Sequence, residues 1–172
     1  QLVSVERSPE NLALYADALR LTGEFEDAQK VFSEALSMEG ADSCRLLAGR
    51  AGSRYRLRRY ESADDDLSTL REVCPSSPKI PGVLLNKGMV LVSEERFDEA
   101  RAVLNAIAED YPESQEAGGA LYYLALCDIE SGGYEQAEEK LKRFLQGSPH
   151  SNLACMAYYK LAATQVNLAK LN

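Results

Sequence analysis

The residues that most often carry chemistry in proteins are few and scattered in this chain. Its single histidine, His150, directly follows Pro149 and has no cysteine or second histidine near it. A catalytic triad and a zinc site therefore lack their usual side chains. The acidic runs Asp64–Asp66 and Glu138–Glu139 are expected on solvent-facing sides of helices, where carboxylates lack the burial that acid–base catalysis needs. These residues predict that the chain is not an enzyme.

Glycine pairs and cysteines add no cofactor or metal site to this prediction. Gly118–Gly119 and Gly132–Gly133 lack the lysine, the serine and the neighbouring strand that a phosphate-binding loop requires. The four cysteines contain no Cys-x-x-Cys pair and lie 30, 53 and 28 residues apart, a spacing typical neither of a metal site nor of a dense disulfide framework. We expect packed thiols, no metal and no cofactor.

Length and charge narrow the class of protein further. The 172 residues are 45% hydrophobic, which is typical of a folded globular protein. A net charge of −8 opposes general binding to nucleic acid or anionic lipid. The longest apolar helical pattern, residues 82–92, is interrupted by Asn86 and Lys87, so we expect no direct membrane insertion of this chain.

Four segments of the chain begin alike and set its organisation. Each has an alanine preceded at three residues by an aromatic and followed at four and seven residues by residues that are mostly large and apolar, the pattern of one face of an amphipathic helix. The alanines, which lie 35, 37 and 37 residues apart, are Ala28, Ala63, Ala100 and Ala137. A regular spacing of this kind predicts a structural repeat.

A second helical pattern precedes each of these segments. Twelve residues before each alanine stands a small residue, where two helices must approach closely; these are Ala16, Ala51, Gly88 and Ala125. Ser8 followed by Pro9 has the form of a helix start, and Pro75, Pro112 and Pro149 each lie twelve residues after an alanine, where they end the second helix. The sequence therefore predicts pairs of helices joined by short turns.

The combination of large, small, aromatic, alanine and proline residues at these offsets resembles the tetratricopeptide repeat over about residues 9–149. The resemblance implies an all-α fold, a right-handed superhelix of about four helix-turn-helix repeats plus a partial fifth. The repeats are expected at about residues 9–41, 44–76, 81–113 and 118–150, with a final helix at 153–169. We expect one domain over residues 1–172, as a piece of a longer array or with an edge used for self-association.

Repeat two departs from the family pattern, and two of its cysteines raise an alternative. Arg50 and Arg54 stand where packing residues are expected, so its first helix is expected to be shifted or shortened. Cys44 opens the first helix and Cys74 closes the second, so an antiparallel hairpin would bring them to the same end. A disulfide there is the alternative to free thiols, and it would imply an oxidising compartment.

Residues 111–162 resemble, at finer grain, the repeats of bacterial envelope proteins of the Tol-system coordinator and outer-membrane assembly lipoprotein type. The resemblance depends on turns with the residues Tyr111, Pro112, Ser114, Ser148, Pro149 and Ser151. It favours the bacterial cell envelope, on the periplasmic side, over the cytoplasm. Four unpaired cysteines would favour the cytoplasm.

The resemblance to the tetratricopeptide repeat also implies where a partner binds. In this family, first-helix residues line a concave wall, and in repeats three to five that wall is apolar. The groove residues expected to contact a partner peptide or helix are Leu85, Met89, Val92, Tyr122, Leu126 and Tyr159. The alternative is that a tight superhelix buries much of this wall against its own helices.

Six arginines within residues 45–59, with no acidic residue among them, form a second candidate site. They either pair with acidic residues on adjacent turns or provide a cradle for an acidic partner segment, since guanidinium groups suit carboxylates and phosphates. The arginines of the candidate acidic-partner site are Arg45, Arg50, Arg54 and Arg56.

The function predicted from these features is a non-catalytic scaffold for protein–protein interaction. Its expected partner is a protein or peptide held in the apolar groove of repeats three to five. The alternatives are a structural or oligomerisation module that assembles through an open C-terminal edge into a homo-oligomer, and a small-ligand carrier.

Overall fold

The computed structural model describes residues 7–171 as a succession of helices. No strand occurs among these residues, in agreement with the predicted all-α fold. The nine helices of this described range are α1 (Pro9–Thr22), α2 (Phe25–Leu36), α3 (Ser43–Arg56), α4 (Tyr60–Val73), α5 (Ile80–Ser93), α6 (Phe97–Asp110), α7 (Gln115–Glu130), α8 (Tyr134–Gly147) and α9 (Ala154–Leu171).

The chain divides into two compact units, with the boundary between Asn86 and Lys87 inside α5. In the first unit α1 packs on α2, α2 on α3, and α3 on α4, while α1 also contacts α3. In the second unit α6 packs on α7, α7 on α8, and α8 on α9. Each unit is therefore built from helix pairs joined by short turns, as the repeat predicts. The assignment of residues 1–172 to one domain stays a prediction.

Local signals in the sequence explain where the helices begin and end. Ser8 caps α1, since its Oγ accepts a hydrogen bond from the Asn11 backbone N–H at 3.2 Å, and Pro9 occupies the first turn. Gly23 ends the same helix with φ of 87°, a left-handed conformation that costs glycine little. Helices α4, α6 and α8 each end two residues before a proline, as predicted.

The small residues of the repeat lie at the places where helices approach most closely. Ala28, Ala63, Ala100 and Ala137 are fully buried, and so are Ala16, Ala51 and Ala125 of the preceding helices. At the corresponding position in α5, a Cβ on Gly88 would lie 2.5 Å from Cδ2 of Leu104 in α6. The Leu104 side chain thus occupies the space that a side chain at position 88 would need.

The first helix of repeat two is neither shifted nor shortened, which corrects the expectation from its arginines. Helix α3 has 14 residues, as many as α1 and α4. Its arginines Arg50 and Arg54 are tolerated because both guanidinium groups reach the carboxylate of Asp66 on α4. The final helix, expected at 153–169, is observed at Ala154–Leu171.

A disulfide joins Cys44, in the first turn of α3, to Cys74, the residue after α4, with their Cα atoms 6.0 Å apart. Of the two interpretations of these cysteines, the structure therefore contains the disulfide. Cys127 and Cys155 are free thiols, the first buried and the second exposed. The covalent bond closes the α3–α4 hairpin at the end opposite its turn.

The double substitution Cys44→Ser, Cys74→Ser should lower the free energy of unfolding by about 3 to 4 kcal/mol, because a bond across 30 residues restricts the unfolded chain. Urea denaturation of the oxidised protein, followed by circular dichroism, measures the loss. Cys155→Ser is the control and should leave the midpoint unchanged. Equal stability of the double variant and the oxidised parent would contradict the prediction.

Gly49→Ala should lower the free energy of unfolding by about 1 to 3 kcal/mol, since the new Cβ would lie 2.6 Å from Cε1 of the fully buried Phe32 ring. Gly147→Ala is the matched control, because a Cβ there meets nothing within 4 Å. Helix propensity predicts that this control is neutral or stabilising by up to about 1 kcal/mol. Thermal denaturation compares the two variants, and an equal effect would show that α2 and α3 tolerate the added methyl group.

Candidate partner-binding surface

The centre of the arginine cluster is an ion-pair network around Asp66. Arg50 approaches its carboxylate with two nitrogens, Nη2 to Oδ1 at 2.7 Å and Nε to Oδ2 at 3.0 Å. Arg54 donates from Nη1 to Oδ2 at 2.8 Å and to the Ser62 carbonyl at 3.0 Å. The Asp66 side chain is only 5% exposed, and those of the arginines 19% and 20%. Such a buried carboxylate requires the compensation that two guanidinium groups provide.

Tyr55 makes a second buried contact with the acidic run Asp64–Asp66. Its ring is fully buried, and its hydroxyl donates to the Asp64 carboxylate. Burial, together with the hydrogen bond to Asp64, raises the pKa of Tyr55 well above its usual range, so the hydroxyl stays protonated and keeps donating. The sequence predicts that the whole run Asp64–Asp66 faces solvent, and this prediction is wrong for Asp66. Asp65 is exposed, whereas Asp66 is buried.

The other arginines of the cluster also have partners inside the first unit. Arg45 on α3 pairs with Asp17 on α1, with Nη2 and Oδ2 2.6 Å apart. Arg56 lies over the Phe25 ring, with its Cζ 4.9 Å from the ring centroid. All four residues of the predicted acidic-partner site thus make contacts within the unit. The pairing of these arginines with acidic residues was the alternative derived from the sequence, although Asp17 was not foreseen as a partner.

The predicted groove residues differ in their exposure. Leu85 belongs to the first unit and is half-buried. The other residues belong to the second unit, where Met89, Val92 and Leu126 are half-buried. Tyr159 on α9 is 71% exposed. The side chains available to a partner are therefore concentrated toward the C-terminal helix.

Tyr122 is the exception, since it lies in the core of the second unit and is 2% exposed. Its ring centroid is 5.6 Å from that of Phe144 on α8 and 5.1 Å from that of Tyr123. Burial raises the pKa of its hydroxyl. Tyr122 therefore packs beneath the predicted groove residues, and its ring is not placed to contact a partner directly.

Helix α9 carries the largest exposed apolar side chains of the second unit. Ala154, Ala157 and Thr164 are buried, with Ala154 and Ala157 packed in the core around α8, which defines the packed face. Tyr159 and Val166, seven residues apart and so on one helical face, are 71% and 54% exposed. The packed and the exposed apolar positions lie on different sides of α9.

Met156 and Tyr158 are also exposed, at 55% and 57%, and sequence reasoning did not single them out. The sequence does contain a signal for these two residues. Apolar residues continue around α9 at positions where an amphipathic helix would have polar ones.

Within residues 7–171, no group of three or more histidine, cysteine, aspartate and glutamate side chains could hold a metal ion. No helix in the same range combines the length and the hydropathy required to cross a membrane. His150 lies exposed in the turn between α8 and α9.

Asp66→Asn should lower the free energy of unfolding by about 3 kcal/mol or more, because it removes the charge that compensates two largely buried guanidinium groups. Asp65→Asn, at an exposed neighbouring position, should change it by less than about 0.5 kcal/mol. Urea denaturation of both variants tests this network. Similar midpoints for Asp66→Asn and Asp65→Asn would mean that solvent compensates the arginines.

Comparisons with known proteins agree with the helical repeat. Residues 85–152 match the family model described as tetratricopeptide repeat. No curated protein shows a significant sequence match to the chain. These matched residues include most of the third repeat and all of the fourth, where the pattern of alanines and prolines is strong.

Several solved structures share the fold at low sequence identity. A tetratricopeptide repeat protein from Parabacteroides merdae is 20% identical, with a TM-score of 0.61, over 94% of this chain and 59% of its own length. BtubC from P. vanneervenii is 16% identical, with a TM-score of 0.66, over 93% of this chain and 72% of that one.

MamA from Desulfovibrio magneticus RS-1 is also 16% identical, with a TM-score of 0.60, over 97% of this chain and 94% of that one. Similarity at these identities establishes the fold alone. The described chain has the tetratricopeptide-like helical fold that its sequence predicts, and residues 85–152 carry the sequence pattern of the tetratricopeptide repeat itself.

Proposed function

We propose that this chain is a non-catalytic scaffold that binds a protein partner on the first-helix wall of its second unit. The tetratricopeptide repeat match at residues 85–152 supports the general class, since proteins with this fold commonly serve as interaction scaffolds. The binding residues in this proposal are Met89, Val92, Leu126 and Tyr159, with Tyr122 holding the wall in place. Leu85, the sixth predicted residue, lies on the part of α5 that belongs to the first unit and is not included in this surface.

The observation that carries this proposal is the exposure of Tyr159 and Val166 on one face of α9. Large apolar side chains in water gain about 1.5 to 3 kcal/mol each when a partner buries them. A tyrosine suits such a position because its ring is apolar while its hydroxyl finds a hydrogen-bond partner at an interface. Two such anchors together contribute about 3 to 6 kcal/mol, which is less than the roughly 8 kcal/mol of micromolar binding, so the half-buried residues Met89, Val92 and Leu126 must contribute as well.

The chemistry of this surface favours an amphipathic helix as the partner. Tyr159 and Val166 are separated by two helical turns, so a partner helix with apolar residues at positions i, i+3 or i+4, and i+7 would match their spacing. The net charge of −8 favours a partner with basic residues outside its apolar stripe.

The double substitution Tyr159→Glu, Val166→Glu should weaken binding of amphipathic helical peptides at least tenfold. Peptides are selected from a displayed library of 16-residue sequences on the parent protein, and their affinities are measured by isothermal titration calorimetry. The matched control is Tyr15→Glu, Leu21→Glu, which places the same charges at exposed apolar positions of α1. Circular dichroism must show equal helicity in both variants.

Equal affinity of the selected peptides for the two variants would overturn the proposed surface. Sedimentation velocity at micromolar concentrations tests the remaining alternative, which is that this surface mediates self-association. A dimer of the parent that disappears in Tyr159→Glu, Val166→Glu but persists in the α1 control would identify a second copy of the chain as the occupant.

We also propose that the protein works in an oxidising compartment, with the periplasmic side of the bacterial cell envelope favoured. Support comes from the disulfide between Cys44 and Cys74, because such bonds form and persist mainly outside the reducing cytosol. The turns that resemble envelope proteins are a second, weaker support.

Alkylation of intact cells before lysis tests this compartment. N-ethylmaleimide should modify the exposed Cys155 and leave Cys44 and Cys74 unlabelled until a reductant is added. Mass spectrometry of the peptides reports each site. Labelling of Cys44 and Cys74 without reductant would place the native protein in a reducing compartment.

A further inference from the structure

Helix α9 carries, on its exposed side, the residue pattern that marks the second helix of every repeat. In α2, α4, α6 and α8 an aromatic residue is followed by alanine after three positions and by further apolar residues after seven and ten. The same offsets in α9 give Tyr159, Ala162, Val166 and Ala169, and the final alanine has a precedent in Ala35 of α2. These four residues, the α9 stripe, are all exposed.

The equivalent residues of α2 show what this pattern does when its neighbours are present. Ala28, Phe32 and Ala35 are fully buried, in a core that α2 shares with α1 and α3. Helix α9 instead packs on α8 through Ala154 and Ala157, which lie on the side opposite the stripe. The α9 stripe is therefore a second-helix face that no helix of the described chain covers.

The α9 stripe also contains the signature of a first helix. Ala162 lies 37 residues after Ala125, so it occupies the first-helix position at which a small residue lets two helices approach closely. Ala125 is fully buried, whereas Ala162 is exposed. First-helix and second-helix signatures thus lie on the same side of one helix. Such a face is complementary to itself, which is the requirement for a contact between two copies about a two-fold axis.

Contacts within the second unit show how a first helix and a second helix fit together. A Cβ at Gly88, the small position of α5, would lie 2.5 Å from Cδ2 of Leu104, four residues after the alanine of α6. The ring centroid of Tyr122 in α7 lies 5.6 Å from that of Phe144, seven residues after the alanine of α8. These two contacts are a template for the helix that would cover α9.

Both template contacts, transferred to two copies of α9, satisfy the same two-fold axis. The first places Ala162 of one copy against Val166 of the second copy, and the other places Tyr159 against Ala169. The residue numbers of the two pairs have the same mean, so a single antiparallel register makes both contacts and their reciprocals. Each pair sets a larger side chain against alanine, as close packing between helices requires.

We propose that the partner helix of α9 is α9 of a second copy, packed antiparallel on it through the α9 stripe. This inference rests on the proposed partner-binding surface and names its occupant. Charge is compatible with it, because α9 contains Lys160 and Lys170 and no acidic residue in a chain of net charge −8. Contact through acid-rich helices such as α2 or α6 would bring many like charges together. A contact of one helix from each copy is small, so we expect a reversible dimer with a Kd of about 10 to 100 μM.

Sedimentation equilibrium of the full chain, from micromolar to millimolar concentration, tests the pairing. Ala162→Leu should weaken the dimer at least tenfold, because the added side chain keeps the two helices apart. Ala163→Leu is the matched control, since Ala163 is the exposed neighbour outside the stripe and α7 has Leu126 at the equivalent position. A parent that stays monomeric, or equal weakening by both substitutions at unchanged helicity, would contradict the proposal.

Cysteine cross-linking tests the antiparallel register. One protein carries Cys155→Ser with Ala162→Cys, and another carries Cys155→Ser with Val166→Cys. Mild oxidation of their mixture should give a covalent dimer, with mass spectrometry locating the bond between positions 162 and 166, while each protein alone should remain largely unlinked. Linking of each protein to itself as efficiently as in the mixture would indicate parallel helices and rule out this register.

The outcomes distinguish this inference from the function on which it rests. Selected helical peptides that bind at Tyr159 and Val166 of a monomeric parent would exclude the second copy as the occupant and leave the partner-binding surface intact. A dimer that persists in Ala162→Leu and in Tyr159→Glu, Val166→Glu would show that the copies meet elsewhere, which also excludes the α9 pair. Loss of the dimer in both variants, together with the mixed cross-link, would support the surface and its occupant.

Discussion

Close approach of paired helices at small residues is the constraint on which the rest of this structure depends. The fourth residue of every second helix is a fully buried alanine, and the preceding helix has another buried alanine or, in α5, Gly88 at the corresponding position. A short distance between helix axes lets apolar side chains from adjacent helices interlock, and no single helix pair could bury its own apolar face. Gly49 extends the same logic, because the Phe32 ring occupies the space where a side chain would be.

Repeat two shows how polar groups replace apolar packing within the same architecture. Arg50 and Arg54 occupy positions where packing residues are typical, yet α3 keeps its full length because both guanidinium groups meet at Asp66. A network of this kind stabilises only as a complete set, since any one member left alone would be a buried charge. Specificity of helix pairing is a consequence: α3 carries the arginines and α4 the acid, so a different neighbour would leave them unpaired.

Much of the fold was predictable because alanine spacing, proline positions and the serine cap are local signals. They are sufficient to predict an all-α fold of paired helices. Exposure was harder to predict, because it depends on distant neighbours. Tyr122 and Tyr159 occupy equivalent first-helix positions, yet Tyr122 packs on Phe144 whereas Tyr159 faces solvent.

Asp64–Asp66 illustrate the same limit: a run of three acids has the composition of a solvent face, and only the partners on α3 turn Asp66 inward. Proximity of Cys44 and Cys74 followed from the predicted hairpin, but the covalent bond did not.

The disulfide of repeat two also changes what a cut in the backbone would do. Helices α3 and α4 are joined by a turn in which Arg58 adopts a positive φ of 60° and both Arg58 and Arg59 are exposed, a place that trypsin-like proteases favour. The bond between Cys44 and Cys74 lies at the far end of the same hairpin. A chain nicked in this turn would therefore remain one covalent molecule, with its two fragments held together until the disulfide is reduced.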